Sequence, residues 1–296
     1  MDGMVKKALD RSAVYSALLT PYDKHGELNV TMLRKLVRHE ADSGVEGFYC
    51  CGSSGEGLLL SDDERKTIAE VVLEEARVPV MVHVGSLNTR SAIDLAKHAE
   101  KAGACAVSAI PPIYYHYSQE EINRYYLDIL SAVDIGIIVY NIPQFTGISF
   151  TTANPLLKNE RVVGIKHTSM NLYDLERIGK AYPEKILING FDEIYASALA
   201  AGATATIGTT VNVCPKLFLA IRNAFAAGKN EKAHAAQCRL NDVVQAFVDT
   251  NVFPAAKYAL SLQGFDIGPC RKPFAPLSAK QKKIVENAIR DIADVL

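Results

Sequence analysis

With 296 residues, 49% of them apolar and 22% charged, and a formal net charge of -1, the chain has the make-up of a globular protein with a full-sized core. Its basic clusters, Lys6-Lys7 and Lys282-Lys283, are short, so neither nucleic acid nor an anionic membrane is an expected partner. No run approaches the roughly 18 apolar residues of a membrane span, and residues 1–7 hold no apolar leader core; a cytoplasmic location with six reduced, mostly buried cysteines is expected.

From residue 14 to about 227, short apolar runs alternate with longer amphipathic ones, the pattern of repeated βα units. Strands are expected over 14–19, 47–51, 80–84, 106–110, 135–140, 162–166, 186–189 and 204–208. Helices are expected over 32–42, 89–102, 118–132, 171–181, 192–201 and 215–227. Between the second and third strands, Ser61-Asp62-Asp63-Glu64 supplies an N-cap and a capping-box glutamate ahead of Ile68, Val71, Val72 and Leu73. Eight units of this size match an α/β fold of the (β/α)8 type, a TIM barrel, over 1–227. An open doubly wound sheet has the same alternation, and periodicity by itself does not fix closure, but no dinucleotide fingerprint is present. After 227 the pattern is helical only, over 231–250, 254–262 and 278–295, and 228–296 reads as a three-helix extension packed on the barrel.

In such a barrel chemistry sits at the carboxyl ends of the strands. The second strand ends in Cys51-Gly52-Ser53-Ser54-Gly55-Glu56-Gly57. Its glycines permit a tight turn, and its hydroxyl and N–H groups suit a carboxylate or phosphate; an ordinary βα turn has the same residues. The fourth strand runs into Tyr114-Tyr115-His116, and the fifth ends in Tyr140-Asn141-Ile142-Pro143, where a buried tyrosine needs only one partner for its hydroxyl.

The sixth strand delivers Lys166, followed by His167-Thr168-Ser169. A free lysine with a pKa near 10.4 is only about 0.04% neutral at pH 7, so nucleophilic work needs an apolar setting or cationic neighbours. A solvated lysine just past a strand is the plain alternative. The seventh strand ends in Gly190-Phe191-Asp192-Glu193, acids that helix capping and the dipole also explain. The histidines lack zinc-type spacing, and adjacent Cys50 and Cys51 point to opposite faces of a strand, against joint metal ligation.

Together, Gly52-Ser53-Ser54-Gly55-Glu56, Tyr140-Asn141-Ile142-Pro143, Gly164-Ile165-Lys166-His167-Thr168-Ser169 and Arg271-Lys272-Pro273-Phe274 resemble the N-acetylneuraminate lyase and dihydrodipicolinate synthase superfamily of pyruvate-dependent class I aldolases, over essentially the whole chain. The resemblance implies a (β/α)8 barrel with three C-terminal helices, a homotetramer, and no metal or organic cofactor. It implies that Lys166 forms the Schiff base, that Ser53 and Ser54 bind the carboxylate of the α-keto acid, and that Tyr140 shuttles protons. That tyrosine would be linked through Ser53 or Ser54 to a tyrosine of a neighbouring subunit, matched by Tyr114 more closely than by Tyr115.

Gly190, Asp192 and Glu193 look like the lyase branch, in which the acids hold the hydroxylated tail of sialic acid while Thr168, Gly208 and Thr209 line the pocket. Synthases carry an arginine soon after the fifth strand, where this chain has Gln144-Phe145-Thr146-Gly147. Serine at 54 stands where the lyase pattern has threonine, keeping the hydroxyl and losing the methyl. The implied reaction is reversible cleavage of N-acetylneuraminate to N-acetylmannosamine and pyruvate. The alternatives are another 2-keto-3-deoxy sugar acid aldolase, dihydrodipicolinate synthase, a metal-dependent aldolase, and a keto-acid sensor on the same fold.

Overall fold

A computed structural model describes residues 8–296. The amino-terminal residues read above for a leader lie outside this range. Eight strands, β1 (Val14–Ala17), β2 (Gly47–Cys50), β3 (Val80–His83), β4 (Ala106–Ala109), β5 (Ile137–Asn141), β6 (Val162–His167), β7 (Ile186–Asn189) and β8 (Ala205–Gly208), pair in parallel, each with its chain neighbours. β8 returns to β1 through Val14↔Thr206, Tyr15↔Ile207 and Ser16↔Gly208, so the sheet is a closed barrel rather than an open doubly wound one.

Two apolar layers account for the strand residues, which are buried almost throughout. Inside the barrel, Tyr15, Tyr49, Met81, Ile138, Ile188 and Ile207 fill the axis. Outside it, Val14, Phe48, Val82, Val107, Val139 and Ile165 meet the helices. The large ring of Tyr15 fits only because residue 47 is glycine, whose added Cβ would come within 2.1 Å of that ring.

The shell begins with α1 (Val30–Asp42), α2 (Asp62–Glu75), α3 (Thr89–Ala102) and α4 (Gln119–Ser131). The capping box read from sequence is present on α2: the Glu64 N–H donates to Ser61 Oγ at 3.2 Å, and the Ser61 N–H to Glu64 Oε2 at 2.8 Å. The fifth unit departs from regularity. It has only α5 (Pro143–Thr146), a single turn begun by proline and stopped by Gly147 at φ 68°, and a 3-10 turn at Pro155–Lys158.

α6 (Leu172–Ala181) follows β6. The helix expected over 192–201 is split into a 3-10 turn at Asp192–Ile194 and α7 (Tyr195–Ala200). After α8 (Pro215–Ala226) come α9 (Asn230–Thr250), α10 (Val252–Leu262) and α11 (Ala279–Arg290), with α9 packed on α8, α10 and α11. The last helix is shorter than expected, and its end is a separate 3-10 turn at Ala293–Val295. No helix among the described residues is long and apolar enough to cross a membrane. The six cysteines are free, Cys50, Cys51 and Cys214 buried and Cys238 exposed.

Candidate active site

Strand register decides where the reactive groups meet. β5 and β6 pair Tyr140 with Lys166 and Asn141 with His167, so amine and phenol leave neighbouring strands at one level. Below them the register shifts between Ile137 and Ile138. The Lys166 side chain rises inside the barrel, 5% exposed, and its Nζ lies 3.8 Å from the centroid of the Tyr140 ring and 4.9 Å from that of Tyr49. The solvated strand-end lysine considered from sequence is therefore not what the fold builds.

Burial acts to raise the Tyr140 phenol, but the neighbouring Lys166 charge, with the Lys166, Thr168 and Ser53 groups facing its oxygen, outweighs it and holds the phenol below its ordinary value. The amine thus lies over the face of a phenol held below its ordinary value.

These groups open into a cavity of about 290 Å³ at the carboxyl end of the barrel. Ser53, Ser54, Tyr140, Lys166, Thr168, Gly190, Asp192, Glu193 and Thr209 all line it. The turn after β2 is closed by Gly57 N–H donating to Gly52 O and Glu56 N–H to Ser53 O, both at 3.0 Å. Ser54 Oγ and Thr209 Oγ1 share a hydrogen bond of 2.7 Å, which ties this turn to the end of β8. Among the described residues the N–H groups of Ser54 and Gly55 have no acceptor.

Asp192 is 7% exposed. Its Oδ2 accepts from the Thr210 N–H at 2.8 Å, while its buried Oδ1 has no partner among the described residues. Burial pushes its carboxyl up to about 6 against the Thr210 bonds that pull it down. Gly190 and Gly208 make room here: a Cβ on the first would meet Thr168 Oγ1 at 1.9 Å, and on the second Asp192 Oδ1 at 2.0 Å.

Two expected site residues lie elsewhere. Gly208 is not on the cavity wall but beneath Asp192. Tyr114 is 87% exposed, at φ 85°, stacked edge-on against Tyr115 and away from the cavity of its own chain.

The structure also adds groups. Val244, Phe247 and Val248 of α9 and Val252 and Phe253 of α10 form an apolar wall, with Phe145 and Gln144 at the rim. Behind the reacting pair, His83 is buried, with its ring edge-on to Tyr140 at 6.3 Å between centroids. Burial, then the charges of Arg65 and Lys166, keep it neutral. Its Nε2 accepts from the Ile110 N–H at 3.1 Å, so the proton lies on Nδ1 and points to Cys51 O at 3.2 Å. The wall carries no sequence signal beyond helical periodicity. His83 had one, a histidine at the end of an apolar strand.

A closed parallel (β/α)8 barrel that gathers a buried lysine, a tyrosine, an open serine turn and paired acids at its carboxyl-end rim has the parts of an imine-forming enzyme. The chain belongs to the dihydrodipicolinate synthetase family, which it matches over residues 10–292. It is 37% identical to N-acetylneuraminate lyase of Rhizobium meliloti over 282 residues, 94% of each chain. Among solved structures, Ruminococcus gnavus sialic acid aldolase is 32% identical with a TM-score of 0.93, covering 97% of this chain and 98% of that one. The CdNal protein of Clostridium difficile, solved in complex with mannosamine, is 34% identical with a TM-score of 0.92, covering 96% and 99%.

Proposed function

We propose that this protein is an N-acetylneuraminate lyase, reversibly cleaving the sugar acid to N-acetylmannosamine and pyruvate through a Schiff base on Lys166. The observation that carries the reading is the Lys166–Tyr140 register pair, with Lys166 Nζ 3.8 Å from the phenol ring centroid in the cavity that also holds Ser53, Ser54, Asp192 and Glu193. The relatives that bear this activity in their names support it, and Gln144 rather than an arginine at the rim supports the lyase over the synthase.

In the proposed sequence the Lys166 amine adds to the C2 ketone of the open-chain sugar acid and water leaves, giving an iminium. Ser53, Ser54 and the open N–H groups hold the carboxylate. Tyr140 takes the C4 hydroxyl proton, the C3–C4 electron pair moves into the iminium, and the aldehyde product departs. The resulting enamine is protonated at C3, and water releases pyruvate and regenerates the amine. Thr168, Gly190, Asp192, Glu193 and Thr209 contact the hydroxylated tail, and Gly208 serves by leaving Asp192 its place. No step calls on a metal or organic cofactor.

Because Tyr114 faces away from its own cavity, its contribution requires a neighbouring subunit, and the working form is read as a cytoplasmic homotetramer. Sedimentation analysis tests the assembly. The chemistry is tested by incubation with pyruvate and borohydride followed by peptide mapping. The expected adduct is on Lys166, and Lys166→Ala is expected to lose cleavage of N-acetylneuraminate by roughly 10⁴-fold or more. An unmodified Lys166 overturns the reading.

A further inference from the structure

The turn that carries Ser53 and Ser54 is held in a shape its sequence resists. Cys51 at φ 60° and Glu56 at φ 58° are both left-handed, a conformation that costs a non-glycine residue about 1 kcal/mol. Glycine would relieve that cost, yet the turn uses its glycines at 55 and 57 for space, where a Cβ would meet Leu18 O at 2.8 Å and Cys51 O at 1.9 Å, and position 56 is glutamate, so its carboxylate has to return something for the strain.

Glu56 does not line the reaction cavity. It is 3% exposed and turns backwards to the C-terminal helices, where its Oε1 is 2.7 Å from Lys257 Nζ on α10 and its Oε2 accepts from the Arg271 N–H at 2.8 Å. Lys257 is equally buried, donates to Pro269 O at 3.2 Å, and lies 4.3 Å from the centroid of the Tyr22 ring. From the barrel side, Thr20 Oγ1 donates to Gly55 O at 2.7 Å.

A buried ion pair contributes little net stability, because desolvation offsets the attraction. Its other effects are geometric and electrostatic. Ser53 and Ser54 of the turn face the cavity, while the Glu56 carboxylate of the same turn lies off the cavity against Lys257. Left uncompensated in that dry position, the Glu56 charge would oppose any anion arriving in front.

Resting on the carboxylate role proposed for Ser53 and Ser54, we infer that Glu56 and Lys257 are positioning residues for the α-keto acid: the pair fixes the turn from behind, and Lys257 cancels the Glu56 charge that would repel the substrate carboxylate.

The test compares pyruvate with its neutral analogue methyl pyruvate, reading the half-saturation of each for borohydride trapping on the intact protein. Lys257→Met leaves an anion behind the turn and is expected to raise the pyruvate to methyl pyruvate half-saturation ratio about tenfold. Glu56→Gln leaves a cation there and is expected to lower the same ratio about threefold. General damage to the fold weakens both probes together and leaves the ratio alone, and either variant suffices if the other fails to fold. A ratio that is unchanged, or that moves the same way in both variants, overturns the inference. Absence of trapping in the unsubstituted protein would instead overturn the proposed function.

Discussion

The two sides of the cavity are built on different principles. On the β5–β6 side, Tyr140 and Lys166 are ladder partners on adjacent strands, and β6 is paired on its other edge through Lys166↔Ile188. Beside it on the rim, after β7, Asp192 and Glu193 occupy a 3-10 turn, and an apolar wall comes from α9 and α10, more than fifty residues further along the chain. Backbone hydrogen bonds on both edges leave the first side little freedom. The second is made of side chains on a turn and two helices. On the proposed function, reaction falls where backbone pairing fixes the geometry, and recognition where side chains on a turn and two helices shape the cavity.

If that division holds, replacements on the two sides differ in kind as well as in size. Tyr140→Phe, which removes only the hydroxyl, is expected to slow cleavage of N-acetylneuraminate by about 10²- to 10⁴-fold while borohydride still traps pyruvate on Lys166. Steady-state rates and peptide mapping check the two halves separately. Cleavage within tenfold of the unsubstituted protein would remove Tyr140 from the proton path and break the comparison at its rigid side.

A smaller effect is expected on the recognition side. Asp192→Asn keeps an acceptor for the Thr210 N–H and removes the charge, so kcat/KM for N-acetylneuraminate should fall about 10- to 100-fold with pyruvate trapping unchanged. Since burial raises the Asp192 carboxyl to about 6, the sugar-acid kcat/KM should climb through a limb near that pH, and the limb should be absent in the variant. Stability moves the other way. A folded-state value above the unfolded one favours the fold fully below about pH 3.8, and that contribution is lost as pH rises through about 6. Asp192→Asn should therefore melt higher at pH 7, by the equivalent of up to about 3 kcal/mol, with the gain vanishing below pH 4.

The same division explains what could be read from the sequence. Apolar runs bounded by glycine, proline and caps located all eight strands, and the lysine and tyrosine were visible because strand ends in a parallel barrel face one rim. Where the pattern failed, the cause was local. The fifth unit spends its connection on α5, a loop and a 3-10 turn, with proline and Gly147 stopping the helix after one turn, so it carried no helical period. The α9–α10 wall was seen as helix but not as cavity, because periodicity marks a buried face without saying which cavity it borders. Gly208 shows a further limit: its place beneath Asp192 depends on a contact between two strand ends that spacing does not contain.

The least disruptive probe of the recognition side is Val248, 58% exposed at the edge of the apolar wall. Val248→Thr conserves shape and exchanges one methyl for a hydroxyl that water reaches, so neither a cavity nor an unpaired buried group results. With half of the side chain already wet, the apolar contact at stake is about 0.5 kcal/mol, and kcat/KM for N-acetylneuraminate should fall roughly two- to threefold. Half-saturation for pyruvate trapping should stay where it is, since the proposed function seats the keto acid at the serine turn and not on α9. An equal change in both readouts would mean that α9 bears on the rigid side as well, and that the two walls are one mechanical unit.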